Sequence, residues 1–313
     1  MKVESFSFLS KDGKTNIHAV KWMPDSGEYK AILQIAHGMV EYIERYEAFA
    51  RFMTDNGYMV VGNDHLGHGE SVVSKADWGY FMEDTPSDAL VEDMNTLRSV
   101  VQKENKGVPY FMFGHSMGSY MLRKYLTLYN DDLRGAVFSG TGYIPKQTTH
   151  FGLAMVKLFK VFRGSRYRSK FIQNLTYDKP YKKFDLTGRD LENSWLTRDV
   201  ENVKAYMAEP KCSFRFTLNA YEGLFEAVEY DCKQENVYRI PNKLPIFMIS
   251  GDDDPVGNLG EGVKKVYDMF QKSGKEDITY KLYEGMRHET LNEIGKEQVY
   301  ADLLAWLNVR IDT

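Results

Sequence analysis

Residues Gly114-His115-Ser116-Met117-Gly118 stand directly behind the apolar run Val108–Phe113 and directly ahead of a stretch with helical patterning. A Gly-x-Ser-x-Gly segment between strand and helix lifts a serine hydroxyl clear of a sheet for nucleophilic attack. The serine on so sharp a turn takes strained backbone angles, and side chains two positions either side would collide with neighbouring chain. Such a nucleophile needs a base, a group that orients the base, and donors for the oxyanion. In this architecture the chain order is serine, acid, histidine. Of the seven histidines only His288, in Glu284-Gly285-Met286-Arg287-His288-Glu289, follows both Ser116 and a suitable acid. That acid lies in Gly251-Asp252-Asp253-Asp254-Pro255. Three adjacent carboxylates cannot all orient one imidazole. Asp254 is preferred because Pro255 fixes the turn that follows, and Asp253 is the second candidate. The oxyanion donors are expected to be the backbone N–H groups of Met117 and of Met39, the latter in Ala36-His37-Gly38-Met39.

Other polar groups point elsewhere. His37 precedes the serine and abuts an apolar run, so a structural ring is expected there. Asp64-His65-Leu66-Gly67-His68-Gly69 holds two histidines three apart, but its glycines indicate tight turns and no helix aligns the imidazoles for a metal. No phosphate loop and no Gly-x-Gly-x-x-Gly fingerprint opens a helix. The chain is therefore expected to work without metal or cofactor.

These groups must be positioned by a sheet. Val3–Leu9 and Thr15–Trp22 alternate apolar and polar residues around Asp12-Gly13, which predicts a hairpin. Short apolar runs follow at Ala31–Ala36, Tyr58–Gly62, Pro109–Phe113, Gly135–Ser139, Pro245–Ser250 and Ile278–Tyr283, as in strands buried on both faces. Helical patterns separate most of them, over Ile43–Asn56, Pro86–Glu104, Met117–Tyr129 and Gly260–Lys272, with Val299–Val309 at the end. This alternation predicts an α/β fold with an eight-stranded, mostly parallel sheet and an antiparallel start. It breaks between about Tyr143 and Ile240, where the chain reads mostly helical. The expected division is a core of residues 1–142 and 241–313, with residues 143–240 as a helical cap, or lid, inserted after the sixth strand.

With 313 residues, 43% of them hydrophobic, the chain can bury a full core. A net charge of −4 argues against general nucleic-acid binding. Neither a signal peptide nor a membrane span is expected, and Cys212 and Cys232 match no zinc or redox spacing. The expected location is cytoplasmic, with both thiols unpaired.

The chain resembles the α/β-hydrolase superfamily, and within it the monoacylglycerol lipase and lysophospholipase-like serine hydrolases. The resemblance spans nearly the whole chain. It rests on His37-Gly38-Met39 with Glu41, Arg45 and Tyr46; on Asp64 with Gly67-His68-Gly69 and Ser71; on Gly114–Gly118; and on Asp254 and His288 at the places of the group's acid and base. Ser194-Trp195-Leu196-Thr197-Arg198-Asp199 resembles the cap of bacterial members. Leu66 and Ser119 depart from the group, which commonly has arginine and glycine there. The resemblance implies an esterase or lipase that cleaves small-molecule acyl esters, such as monoacylglycerols or lysophospholipids, through an acyl-enzyme. Two alternatives share the scaffold. A proline-iminopeptidase-like peptidase would need a cap carboxylate cluster, and Glu222, Glu226, Glu229 and Asp231 read as one solvated helical face. A ligand-binding homologue without catalysis would not need the intact serine, acid and histidine.

Between Phe151 and Lys183 there are nine basic residues against one acid, Asp178. Phe151–Phe162 is apolar apart from Gly152, Lys157 and Lys160. One reading is a cap helix packed on the core with a solvated basic edge. The other is a face that admits acyl chains while Lys157, Lys160 and Arg163 attract an anionic membrane or micelle surface.

Overall fold

The computed structural model describes residues 1–129, 132–177 and 179–311, so Asp178 lies outside the described residues. Strands β1 (Lys2–Leu9) and β2 (Asn16–Met23) form the opening hairpin, followed by β3 (Ala31–Ala36), α1 (Glu47–Asp55) and β4 (Tyr58–Asn63). Then come α2 (Pro86–Glu104), β5 (Tyr110–His115), α3 (Met117–Leu126) and β6 (Leu133–Ser139). Helices α4 (Lys146–Arg163), α5 (Lys170–Leu175), α6 (Val200–Ala208), α7 (Leu218–Asp231) and α8 (Gln234–Val237) intervene. The core resumes with β7 (Ile246–Gly251), α9 (Glu261–Lys272), β8 (Ile278–Tyr283) and α10 (Lys296–Asn308).

The eight strands lie in the order β1-β2-β4-β3-β5-β6-β7-β8. β2 pairs antiparallel with both β1 and β4, and the remaining pairings are parallel. Every residue of β3, β4, β5 and β7 is buried, as their apolar runs require. Successive side chains point to opposite faces of the sheet. Ile32 and Met112 thus join the core formed with α2, α3 and α9, while Leu33, Phe111 and Phe113 join the core formed with α1 and α10. This is the α/β-hydrolase fold.

The sheet order reverses around β3, which pairs with β4 on one side and β5 on the other. Open α/β sheets place ligands outside the carboxyl ends of their strands at such a reversal. Met39 follows the end of β3 and Ser116 the end of β5, so the topology alone brings them together. The segment between β6 and β7 adds no strand to the sheet among the described residues, and its α7 packs on α2, α3 and α4.

Most elements start within two residues of the sequence expectation, and two helix starts differ more. The helix expected from Ile43 begins as a 3-10 turn, Ile43–Tyr46, whose first N–H is taken by the Asp64 carboxylate at 2.8 Å. The final helix starts at Lys296, a turn before Val299, after Gly295 at φ 87°. No helix among the described residues is long and apolar enough to cross a membrane.

Candidate active site

Ser116 sits between β5 and α3 at φ 51° and ψ −119°, in the left-handed region that a serine enters only under constraint. Its N–H is tied to Ser139 O at the end of β6, at 2.9 Å. The flanking glycines are required by close approach. A Cβ on Gly114 would lie 2.5 Å from Gly118 O, and one on Gly118 would lie 2.1 Å from Ala36 O. Only bare backbone lets α3 start this close to β3 and β5.

Asp254 and His288 meet. Nδ1 of His288 lies 3.0 Å from both Asp254 oxygens. Ser250 Oγ and the Val256 N–H donate to the same carboxylate at 2.9 and 2.8 Å. Burial alone would raise the Asp254 carboxyl, but the facing imidazole and these donors outweigh it and hold it below its ordinary value. Nε2 of His288 is buried and has no hydrogen-bond partner among the described residues. Asp253, the second candidate, instead pairs with Lys183, and Asp252 accepts the Gly285 N–H at 2.7 Å.

Ser116 Cβ would lie 3.1 Å from a Cβ on Gly38, so the loop after β3 lies against the elbow. In that loop Val40 adopts φ 58°. Among the described residues no acceptor takes the N–H of Met39 or of Met117, the first residue of α3. Both groups are free to meet negative charge, and the positive end of α3 adds to the field there. His37 is engaged structurally. Its Nε2 accepts the His65 N–H at 2.9 Å, which leaves Nδ1 to donate to Gly38 O at 2.8 Å. Burial holds this ring neutral, with its pKa lowered to about 3.

Beneath the site runs a buried network that the sequence reading did not assemble. Glu41 takes Gly38 N–H, Tyr46 OH at 3.0 Å and His115 Nδ1 at 3.1 Å on one oxygen, and Arg45 at 2.7 Å on the other. Arg45 also grips Glu289 through two bonds of 2.9 and 2.7 Å. The network thus joins the loop after β3, the residue before Ser116 and the residue after His288. Its sequence signals were Glu41 and Arg45 one helical turn apart and a glutamate directly beside His288.

Among the described residues, His18, Glu44 and Asp64 bring metal-type ligand atoms within 4.8 Å of one another. His18 is already paired with Glu44 at 2.9 Å, and the Asp64 oxygens already take the N–H groups of Ile43 and Glu70.

A serine on a strained elbow, a carboxylate-bound imidazole and two unengaged N–H groups meet at one end of the sheet. The family model described as serine aminopeptidase S33 matches residues 27–295. The chain belongs to this family. Within the S33 family and its relatives it is similar to the monoacylglycerol lipase of Mycolicibacterium smegmatis, 26% identical over 96% of this chain and 95% of that one. It is also similar to human monoglyceride lipase, 25% identical over 93% of this chain and 86% of that one. Among solved structures it superposes on a thermostable carboxyl esterase from Bacillus coagulans in complex with glycerol, with a TM-score of 0.89 and 28% identity over 99% of both chains.

The acids of α7 correct one expectation for this S33 member. They do not form a solvated face. Asp231 is buried beside Arg123, 3.9 Å away, and burial pushes its carboxyl up to about 8. Glu222 pairs with Lys160 at 2.6 Å, and Glu229 with Lys233 and His150 at 2.9 and 3.0 Å. Lys160 therefore does not belong to a free basic edge. On α4 only Thr149, Gly152 and Val156 are buried, while Phe151, Leu158, Val161 and Phe162 are at least half exposed.

Proposed function

We propose that this protein is a cofactor-independent serine carboxylic ester hydrolase whose substrates are monoacylglycerol-type esters. The observation that carries the reading is the His288 imidazole bound through Nδ1 by buried Asp254, with Nε2 unengaged, in the same site as Ser116 on its strained turn. Catalytic hydrogen bonds are commonly loose without substrate and tighten in the complex, so the Ser116–His288 contact is expected to form on binding.

In this reading Ser116 Oγ attacks the ester carbonyl while His288 Nε2 takes its proton. Asp254 fixes the tautomer and stabilises the imidazolium. The N–H groups of Met39 and Met117 hold the oxyanion. His288 returns the proton to the leaving alcohol, and water then releases the acid by the same steps in reverse. The substrate class is supported by the lipases and the esterase to which the chain is similar. Residues 143–240 serve as the cap over this site. Their exposed Phe151, Val161 and Phe162, with Lys157 and Arg163 nearby on α4, suit transient contact with a membrane or micelle. The free cysteines Cys212 and Cys232 are in keeping with a cytoplasmic location.

The test is hydrolysis of p-nitrophenyl esters from acetate to palmitate and of 1-monoacylglycerols, by wild type and Ser116→Ala. Serine-dependent turnover of both series is expected. A folded wild type that cleaves no ester overturns the reading.

A further inference from the structure

One segment of the chain between β6 and β7 is fastened to the loop that carries His288. Leu196 O accepts the Glu289 N–H at 2.8 Å, and Thr197 Oγ1 donates to Asn292 O at 3.0 Å. Arg198 gives its backbone N–H and its Nε to the two oxygens of buried Glu293, each at 3.0 Å. In the opposite direction Arg287 donates to the carbonyls of Glu192 and Ser194, at 2.9 and 2.5 Å. Half-buried Trp195 stands in the middle of this seam. Its ring centroid lies 5.1 Å from that of His288 with the planes inclined at 35°, and Tyr181 packs edge-on against it at 5.3 Å. The His115 ring lies 4.7 Å from His288.

We infer that Trp195 is a positioning residue for His288, confining the imidazole to the orientation in which Nδ1 rests on Asp254 and Nε2 stays available to Ser116. The inference rests on the hydrolase reading above. Its physical basis is that Asp254 fixes the imidazole at one atom only, and the torsion that swings a histidine ring is soft. The indole and the His115 ring restrict that swing. The indole also suits the charged form, because a cation near an aromatic face is attracted by the ring quadrupole. The main-chain bond between Leu196 and Glu289 joins the residue after Trp195 to the residue after His288, so the segment that carries the indole is tied to the loop that carries the imidazole.

The test uses Trp195→Ala and Trp195→Phe in the full chain, with two readouts. The first is kcat and KM on p-nitrophenyl acetate. The second is the rate at which a small alkyl fluorophosphonate labels Ser116. In that reaction a P–O bond forms to Oγ, fluoride leaves, and the serine proton passes to His288. Labelling needs the base but little of an acyl pocket. For Trp195→Ala we expect kcat and the labelling rate to fall together by about tenfold, or about 1.4 kcal/mol, with KM little changed. Trp195→Phe should recover most of the loss. Unchanged labelling in the alanine variant overturns the inference, and a rise in KM alone would mean that Trp195 only touches substrate. Equal losses in both variants, tracking equal losses of thermal stability, also overturn it. A wild type that is not labelled at Ser116 overturns the hydrolase reading itself.

Discussion

Glu41→Gln probes the buried network most severely. The glutamate is 3% exposed and serves four donors, those of Gly38, Tyr46, His115 and Arg45. Glutamine keeps the shape but removes the charge and turns an NH2 group toward one of these donors. Breaking a buried ion pair by removing one partner costs about 3–5 kcal/mol. Arg45 keeps its two bonds to Glu289, which places the expected loss near the lower end, about 3 kcal/mol. The loss depends on pH with a definite sign. Burial would raise the Glu41 carboxyl, but His115, Arg45 and His37 outweigh it, so it sits far below its ordinary 4.5. Its contribution is present above 4.5 and is lost as pH falls toward the native value. Burial would lower His115, but Glu41 outweighs it and raises the ring above 6.5. The His115 contribution is full below 6.5 and fades as pH rises through the raised value. The penalty should therefore peak between 4.5 and 6.5 and shrink at alkaline pH. Urea unfolding of both proteins at pH 6 and pH 9 measures it. In the same variant a neutral amide oxygen holds the Gly38 N–H more weakly than the carboxylate does and the loop bearing Met39 loosens, so kcat should fall, by less than the ~100-fold of a lost oxyanion donor. A penalty below about 1 kcal/mol at both pH values would refute the account of the network as a mutually supporting buried pair.

Asp254→Asn should leave a folded protein whose kcat on p-nitrophenyl esters is lower by about 10^4, because the amide favours the wrong imidazole tautomer; a loss under tenfold would contradict the assigned role. Gly118→Ala sets a methyl 2.1 Å from Ala36 O, a backbone atom that cannot turn aside. It should cost about 1–3 kcal/mol or more in urea unfolding and abolish ester turnover. His65 is fully buried, and burial above all holds its pKa well below 6.5. Its contribution is present above 6.5 and lost as pH falls. The stability of wild type relative to His65→Leu should decline by about 1.4 kcal/mol per pH unit below 6.5, and parallel pH profiles would count against this. Replacing Phe162 and Val161 by serine should weaken sedimentation with anionic vesicles while sparing p-nitrophenyl acetate turnover; unchanged sedimentation would remove the membrane reading of α4.

Much of the core was legible because its signals are local. The apolar runs that became β3, β5 and β8 sit between turns and helical patterns, and the elbow declares itself through glycines that tolerate no Cβ. The pairing of Asp254 with His288 followed from chain order, although sequence offered Asp253 as a neighbour that the fold gives to Lys183 instead. Contacts between distant segments were not legible. Glu289 meets Arg45 across 244 positions, and Trp195, in the segment between β6 and β7, meets His288 beyond β8. The acids of α7 misled for the same reason. Helical periodicity placed Asp231 on a polar face, but that face packs on α3 beside Arg123.

The most direct test of the central claim is rapid-quench mass spectrometry of the enzyme during p-nitrophenyl ester turnover. The account predicts a burst of p-nitrophenol close to one per enzyme, an acyl mass added to the peptide containing Ser116, and neither in Ser116→Ala. Steady turnover by wild type with the acyl group absent from Ser116, or undiminished turnover by the alanine variant, would contradict it.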